Sequence, residues 1–133
     1  MTLATIFVRK GSRILIVEDN LEHLEWFRNK LKHTTMRAIQ DPEAAVDWLR
    51  INPPENLDAI FLDFDLGPGN MKNSTINSIP VIDFLNSRLT TRRSQRNIVI
   101  HSCNEIGAAW MQALLPGAVK LPFGSFDIEE IEK

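Results

Sequence analysis

The chain has 133 residues, a length that fits one domain of typical size. Its residues are 44% hydrophobic and 24% charged, which is typical of a folded globular protein and argues against disorder. The formal net charge of −2 gives no bulk reason for nucleic-acid binding, so no DNA partner is expected. A single cysteine excludes an internal disulfide, and no apolar stretch reaches the roughly 18 residues of a membrane span. We therefore expect a cytoplasmic protein that does not interact with membranes.

Short apolar runs alternate along the chain with segments of helical periodicity. Strands are predicted at residues 13–17, 36–39, 57–62, 97–101 and 118–121. A helix is expected after each strand, and Ser125 is the candidate cap of a final helix that ends at Ile131. Such alternation calls for a parallel sheet with helices on both faces. We predict a single-domain α/β fold, a flavodoxin-like three-layer sandwich whose five parallel strands have the order 2-1-3-4-5.

This domain is expected to span residues 13–133, with residues 1–12 as a leader or an extra edge segment. The clearest amphipathic helix is the one predicted after the fourth strand. Its apolar positions are Ile106, Ala109, Trp110, Ala113 and Leu114. A basic run also stands out, and we interpret it as a solvated helix end and loop. It consists of Arg88, Arg92, Arg93 and Arg96.

Acidic residues follow two strands that the predicted order makes neighbours. Glu18 and Asp19 come after the first strand, and Asp63 and Asp65 after the third. Ligands of such sheets bind beyond these carboxyl ends. Like charges about 4 Å apart repel by about 4 kcal/mol at an effective dielectric of 20, which proton uptake or a divalent cation relieves. Because the ligands are all oxygens, we predict a Mg²⁺ site made by these four carboxylates.

Two polar residues follow the fourth predicted strand. The Ser102 hydroxyl is placed to donate a hydrogen bond to a phosphoryl oxygen on Asp63, and a turn or cap role is its alternative. Asn104 is a candidate phosphate ligand, but its position favours the N-cap of the next helix.

These residues, together with Lys120, resemble a response-regulator receiver domain over nearly the whole chain. The resemblance implies that Glu18 and Asp19 help to bind Mg²⁺ and that Asp63 accepts a phosphoryl group from a phosphodonor protein. It also implies that Ser102 and Lys120 contact that group.

The chain departs from the receiver pattern in three places. Leu121 separates Lys120 from Pro122, and a slip of one residue in an extended strand turns a side chain to the opposite face. Ala118 stands where receivers usually carry a switch aromatic. The stretch Leu66–Ser78 is longer than the usual loop after the phosphoacceptor, and loops of this length are commonly functional or disordered.

Two short elements resemble a more specific group, the cyclic-phosphate-processing receiver domains. Residues 62–67 read Leu-Asp-Phe-Asp-Leu-Gly, where that family has an Asp-His-Asp-Leu pattern, so Phe64 replaces its histidine. Residues 101–107 match the family's His-Ser-x-Asn-x-x-Gly pattern at every fixed position.

Three functions follow from these features, and the sequence leaves them open. The first is a signalling module in which Asp63 is phosphorylated. The second is a metal-assisted phosphoesterase for a cyclic phosphate, such as an RNA end or a cyclic nucleotide, with His101 as general acid or base. Since neighbouring strand residues point to opposite faces, His101 and Ser102 share a site only if the chain bends between them. The 66–78 loop would then fold over the substrate. The third is a vestigial site on a protein-interaction module.

Overall fold

The structure of the chain is a computed structural model, and it describes residues 3–66 and 77–132. Its strands are β1 (Ala4–Arg9), β2 (Arg13–Val17), β3 (Thr35–Ile39), β4 (Ala59–Leu62), β5 (Ile98–Ile100), β6 (Val119–Lys120) and β7 (Phe126–Ile131). Its helices are α1 (Leu21–Lys30), α2 (Pro42–Ile51), α3 (Ile79–Arg88) and α4 (Glu105–Leu114). The main sheet is parallel and has the order β3-β2-β4-β5-β6. Counted from β2, this is the predicted order 2-1-3-4-5, so the flavodoxin-like fold is confirmed.

Capping side chains mark the starts of the first two helices. Asn20 caps α1 by accepting a hydrogen bond from the His23 amide at 3.0 Å. Asp41 caps α2 in the same way at 2.8 Å, and Pro42 is the first helical residue, a position that suits proline. In the described ranges, no helix combines the length and the apolar character that a membrane crossing requires.

The helices α2, α3 and α4 cover one face of the main sheet. Ala45 and Leu49 of α2, and Ile82 and Leu85 of α3, are fully buried there against the sheet. Burying a leucine or isoleucine side chain contributes about 1.5–3 kcal/mol, so this face carries a large share of the core.

The opposite face is covered by α1 and by a second sheet, in which β1 and β7 pair in parallel. The predicted helix from Ser125 to Ile131 is therefore wrong. Phe126 and Ile128 are buried while Asp127 between them is partly exposed, which is the two-residue period of a strand. The partner strand lies at the other end of the sequence, which is why local periodicity did not reveal it. Residues 4–9 therefore form a strand that pairs with β7. That the domain begins only after residue 12 stays a prediction.

Helix α4 exists where predicted, but it turns a different face inward. Gly107, Ala108 and Met111 are buried, whereas Ile106 and Trp110 are exposed. Its sequence is apolar nearly all round, so periodicity alone did not specify one buried stripe. The close approach of Gly107 to the ring of Phe64 fixes the rotation, because a Cβ on Gly107 would lie 2.5 Å from Cγ of Phe64.

Phe126 tests whether β7 is part of the core. Its side chain is 2% exposed and its ring lies against those of Trp26, Phe61 and Phe123. We expect Phe126→Ala to lower the free energy of unfolding by about 3–5 kcal/mol, because it leaves a cavity among these rings. Phe7→Ala on β1 is the matched control, since Phe7 is 61% exposed and its loss should cost far less. Urea unfolding of both variants makes the comparison, and equal losses would contradict the packing of β7.

Candidate cation and phosphoryl site

The site lies where β2, β4 and β5 end side by side. Val17 pairs with Leu62, and Leu62 pairs with Ile100, so the residues that follow each strand meet at one edge. The pairing continues one step further, because the Asp63 amide bonds the Val17 carbonyl and the His101 amide bonds the Leu62 carbonyl, both at 3.0 Å. This regular pairing places the acids that follow β2 and β4 beside the hydroxyl of Ser102, which follows β5.

Three of the four predicted metal ligands converge. Glu18, Asp19 and Asp63 each present a carboxylate oxygen within 4.8 Å of the others. An all-carboxylate donor set of this size suits a hard divalent cation such as Mg²⁺. Asp65 is outside this cluster. Its carboxylate accepts a hydrogen bond from the side-chain NH₂ group of Asn104 at 3.1 Å, and its backbone forms an antiparallel bridge with Asn77.

The carboxyl of Asp63 holds a proton near neutral pH. Burial and the neighbouring charge of Glu18 raise its pKa to about 8, against the opposing effect of hydrogen bonds from the Ser102 hydroxyl and the Phe64 amide. Asp63 and Glu18 are hydrogen-bonded to each other, so Asp63 donates its proton to an ionised Glu18. Burial and the same Glu18 charge also raise the pKa of Asp19. This proton relieves part of the electrostatic repulsion among the three carboxylates. A divalent cation bound between them would relieve the same repulsion, so the cluster fits such an ion.

Glu18 is fully buried and almost every acceptor position of its carboxylate is in use. Oε2 accepts the amides of Asp19 and Asn20 at 3.1 and 3.3 Å. Oε1 accepts His23 Nδ1 at 2.7 Å and His101 Nε2 at 3.1 Å. Burial opposes ionisation of Glu18, but the hydrogen bonds from His101, Asp63 and His23 outweigh it and hold the pKa at about 2. Glu18 is thus a fixed negative charge behind the other two acids.

The structure gives His101 a buried position. Its side chain is 1% exposed, lies against Phe27 and Phe61, and has its pKa lowered by burial. Nε2 is bound to Glu18, and Nδ1 has no hydrogen-bond partner among the described residues. His101 and Ser102 reach the acids from different sides, since His101 contacts Glu18 and Ser102 contacts Asp63.

Sequence reasoning did not place His23 in the site. His23 lies in the first turn of α1, bonds Glu18 and stacks on Phe123 with the ring centroids 3.7 Å apart. A histidine in the first turn after a strand-end acid was the available signal. The orientation of the His23 ring depends on its stacking against Phe123, which only the packed structure shows.

Ser102 and Asn104 link the site to α4. The Ser102 side chain is buried, and its hydroxyl oxygen accepts a hydrogen bond from the backbone amide of Asn104 at 3.1 Å. Asn104 caps α4, as the sequence favoured, with its side-chain oxygen accepting from the Gly107 amide at 2.9 Å. Its NH₂ group donates to Asp65, so both ends of the Asn104 side chain are already engaged.

Lys120 lies on the short edge strand β6, beside Ile100. Its side chain is exposed and forms no ion pair with a carboxylate in ranges 3–66 and 77–132. The loop predicted to cover the site lies largely outside the described residues, since positions 67–76 are not among them. Its C-terminal end is anchored, because the Ser78 hydroxyl donates to the Asp63 carbonyl and the Ser78 amide to the Phe64 carbonyl.

Comparison with known protein families identifies the domain. The family described as the cyclic-phosphate processing receiver domain matches residues 14–117, most of the chain. The chain belongs to this family. The match covers the ends of β2, β4 and β5, which form the site, and extends through α4. No curated protein matches the chain.

Solved structures give the same fold at low sequence identity. The Mn²⁺-bound form of the response regulator Rcp1 is 19% identical, with a TM-score of 0.58 over 84% of this chain and 81% of that one. The response regulator domain of Thermotoga maritima CheB is 20% identical, with a TM-score of 0.55 over 86% and 81%. NtrX from Brucella abortus is 17% identical, with a TM-score of 0.58 over 86% of this chain, which spans only 25% of that protein.

The proton on Asp63 predicts how the stability of the receiver domain depends on pH. An unfolded chain loses this proton near pH 4, whereas the folded domain keeps it until about pH 8. Unfolding therefore releases a proton in this interval, and the free energy of unfolding falls as the pH rises through it. The side chain introduced by Asp63→Asn cannot ionise. We therefore expect the melting temperature of this variant, measured relative to wild type, to rise by several degrees between about pH 5 and pH 8.

Thermal melts in a metal-chelating buffer across this range measure the effect. Asp83→Asn is the matched control, because Asp83 is an exposed acid on α3, and its curve should run parallel to wild type. Parallel curves for Asp63→Asn as well would show that Asp63 does not hold the proton.

Proposed function

We propose that the chain is a divalent-cation-dependent receiver in which Asp63 accepts a phosphoryl group. The observation that carries the proposal is the cluster of Glu18, Asp19 and Asp63, with the Ser102 hydroxyl close enough to Asp63 to lower its pKa against the larger effect of burial. A carboxylate nucleophile, a cation site and a hydroxyl donor are the groups that transfer of a phosphoryl group to a carboxylate requires. Further support is the description of its fold relative Rcp1 as a Mn²⁺-bound form.

Each residue has a defined part in this step. Asp19 and Asp63 would hold the ion, since the oxygens of Glu18 already accept four other hydrogen bonds. Mg²⁺, when bound, supplies positive charge against the phosphoryl oxygens. Asp63 first gives its proton to solvent water. Its carboxylate oxygen then attacks the phosphorus, and the bond from phosphorus to the donor breaks with its electron pair leaving on the donor. The Ser102 hydroxyl then turns from Asp63 to a phosphoryl oxygen.

The roles of Asn104, Lys120 and Asp65 in this site are also part of the proposal. Asn104 reaches a phosphoryl group only by releasing Asp65, and Lys120 only by moving from its exposed position on β6. Asp65 acts through its charge, which adds to burial and to the Glu18 charge in raising the pKa of Asp19. The partner would be a phosphodonor protein in the cytoplasm.

Beryllofluoride, a mimic of a carboxylate-bound phosphoryl group, tests the proposal directly. With Mg²⁺ it should change the tryptophan fluorescence of the domain, because Trp110 contacts Phe64, the neighbour of Asp63. Asp63→Asn should abolish the change, and Asp83→Asn should keep it. A wild-type protein that binds Mg²⁺ and ignores beryllofluoride would contradict a phosphoacceptor role.

A second candidate is metal-assisted opening of a cyclic phosphate, such as a 2′,3′-cyclic nucleotide or an RNA end. The observation that favours it is the proton held by Asp63 near neutral pH, which would serve a general acid. The buried His101, whose Nε2 is bound to Glu18, is poorly placed for that role, although the sequence suggested it.

We expect such an activity to depend on Mg²⁺ or Mn²⁺ and to be lost in Asp63→Asn, with a phosphomonoester as the product seen by ³¹P NMR. Asp83→Asn is again the control. Cyclic phosphates that survive long incubation with the metal-loaded protein would rule the activity out. Failure of both tests would leave the protein-interaction module as the remaining function.

A further inference from the structure

A cavity lies between the two sheets, at the end of the main sheet that is opposite the acidic site. Its volume is about 320 Å³, which is within the range of small-molecule sites. Three of its lining residues, Ser12, Asp58 and Asn97, stand just before β2, β4 and β5. The same three strands carry the acids and Ser102 at their other ends. Because β4 has four residues, about 13 Å of strand separate the cavity from Asp63.

The wall of the cavity is apolar. β6 has only two residues, and β1 is an edge strand of the second sheet, so part of the face of the main sheet stays open between them. Phe7 and Val119 line the opening and are 61% and 43% exposed. An exposed apolar surface with a polar rim commonly marks a binding site. The side chains that form the wall are Ile6, Val8, Ala59, Val99 and Leu121.

The opening of the cavity is basic. Arg9 and Arg96 line it, are exposed, and form no ion pair with a carboxylate of residues 3–66 or 77–132. Among the described lining residues the acid is Asp58, whose Oδ2 already accepts the Arg13 amide at 2.8 Å. Two arginines and one aspartate leave one positive charge, which suits a monoanion. Guanidinium groups bind carboxylates through two parallel hydrogen bonds.

Ser12 adds a buried hydroxyl to the same side of the cavity as Arg9. Its side chain is 8% exposed, and its hydroxyl has no hydrogen-bond partner in the described part of the chain. The turn between β1 and β2 brings the two residues together, because the Ser12 amide bonds the Arg9 carbonyl at 3.1 Å. Gly11 makes this turn possible with a φ of 86°. A buried hydroxyl without a partner is costly, and a ligand oxygen would satisfy it.

We propose that this cavity binds a small monocarboxylate with an aliphatic body. The carboxylate lies between Arg9 and Arg96 and accepts a hydrogen bond from the Ser12 hydroxyl. The aliphatic body lies on the apolar wall, against Val99 and Leu121. The cavity shares no residue with the acidic site, so the proposal does not depend on the chemistry proposed for Asp63.

The volume of the cavity sets the size of the ligand and the expected affinity. A water molecule takes about 30 Å³ of the liquid, so the cavity holds about ten groups of that size. Octanoate has about ten non-hydrogen atoms and is the probe that fits this volume. For a ligand of this size we expect a dissociation constant of about 0.1–1 mM. Binding here would also give a role to Arg96, a member of the basic run that the acidic site does not explain.

Titration of the full chain with sodium octanoate, followed by amide NMR near pH 7, tests the site. We expect saturable shifts that are largest around Ser12, Val99 and Leu121. Arg96→Gln should weaken binding at least about tenfold because it removes the charge, and Val119→Trp should do the same because the indole fills the opening. Both positions are exposed, so the fold should persist. Arg28→Gln is the matched control, since Arg28 is an exposed arginine on α1 that does not line the cavity.

Two further ligands separate the contributions of charge and apolar body. 1-Octanol lacks the carboxylate and acetate lacks the long chain, so each should bind at least about tenfold more weakly than octanoate. Each of three results would overturn the proposal. The first is a wild type that shows no saturable shifts up to about 10 mM octanoate. The second is octanol that binds as tightly as octanoate. The third is binding that survives both Arg96→Gln and Val119→Trp.

Discussion

The buried carboxylate of Glu18 is the constraint on which the site depends. It is an ionised group with no exposure to water, and such a group persists in a protein only when hydrogen bonds compensate for lost hydration. Two backbone amides and two imidazoles supply them. Because Glu18 stays negative, Asp63 beside it keeps its proton, and the pair becomes sensitive to any cation that enters.

This arrangement explains why aromatic residues crowd one side of the site. The two imidazoles that hydrogen-bond Glu18 must themselves be kept in position, and neighbouring aromatic rings do this. His23 stacks on Phe123, and His101 lies against Phe27 and Phe61. Phe123 also meets Trp26 and Phe126, so the position of Glu18 is tied to the core under β7. The second sheet therefore supports the site as well as covering the main one.

The other side of the site leads to α4. Asp63 accepts the amide of Phe64, whose ring lies against Gly107 and Trp110, and Asp65 is bound by the helix cap Asn104. These contacts form a short chain from the acids to the exposed Trp110 side chain on α4.

The sequence alone determined the features whose causes are local. Apolar runs ending in acids predict buried strands with carboxylates at their ends, and Asp41 and Asn104 cap helices through bonds to amides three residues ahead. The alternation of strand and helix then led to the sheet order and to the convergence of Glu18, Asp19 and Asp63. Tertiary structure decided what depends on distant partners. Residues 126–131 became a strand because β1 lies beside them, and α4 turned by the fit of Gly107 against Phe64. His23 joined the site because Phe123, a hundred positions away, orients its ring. A sequence pattern encodes what each segment prefers, but which partner it meets is settled only when the whole chain packs.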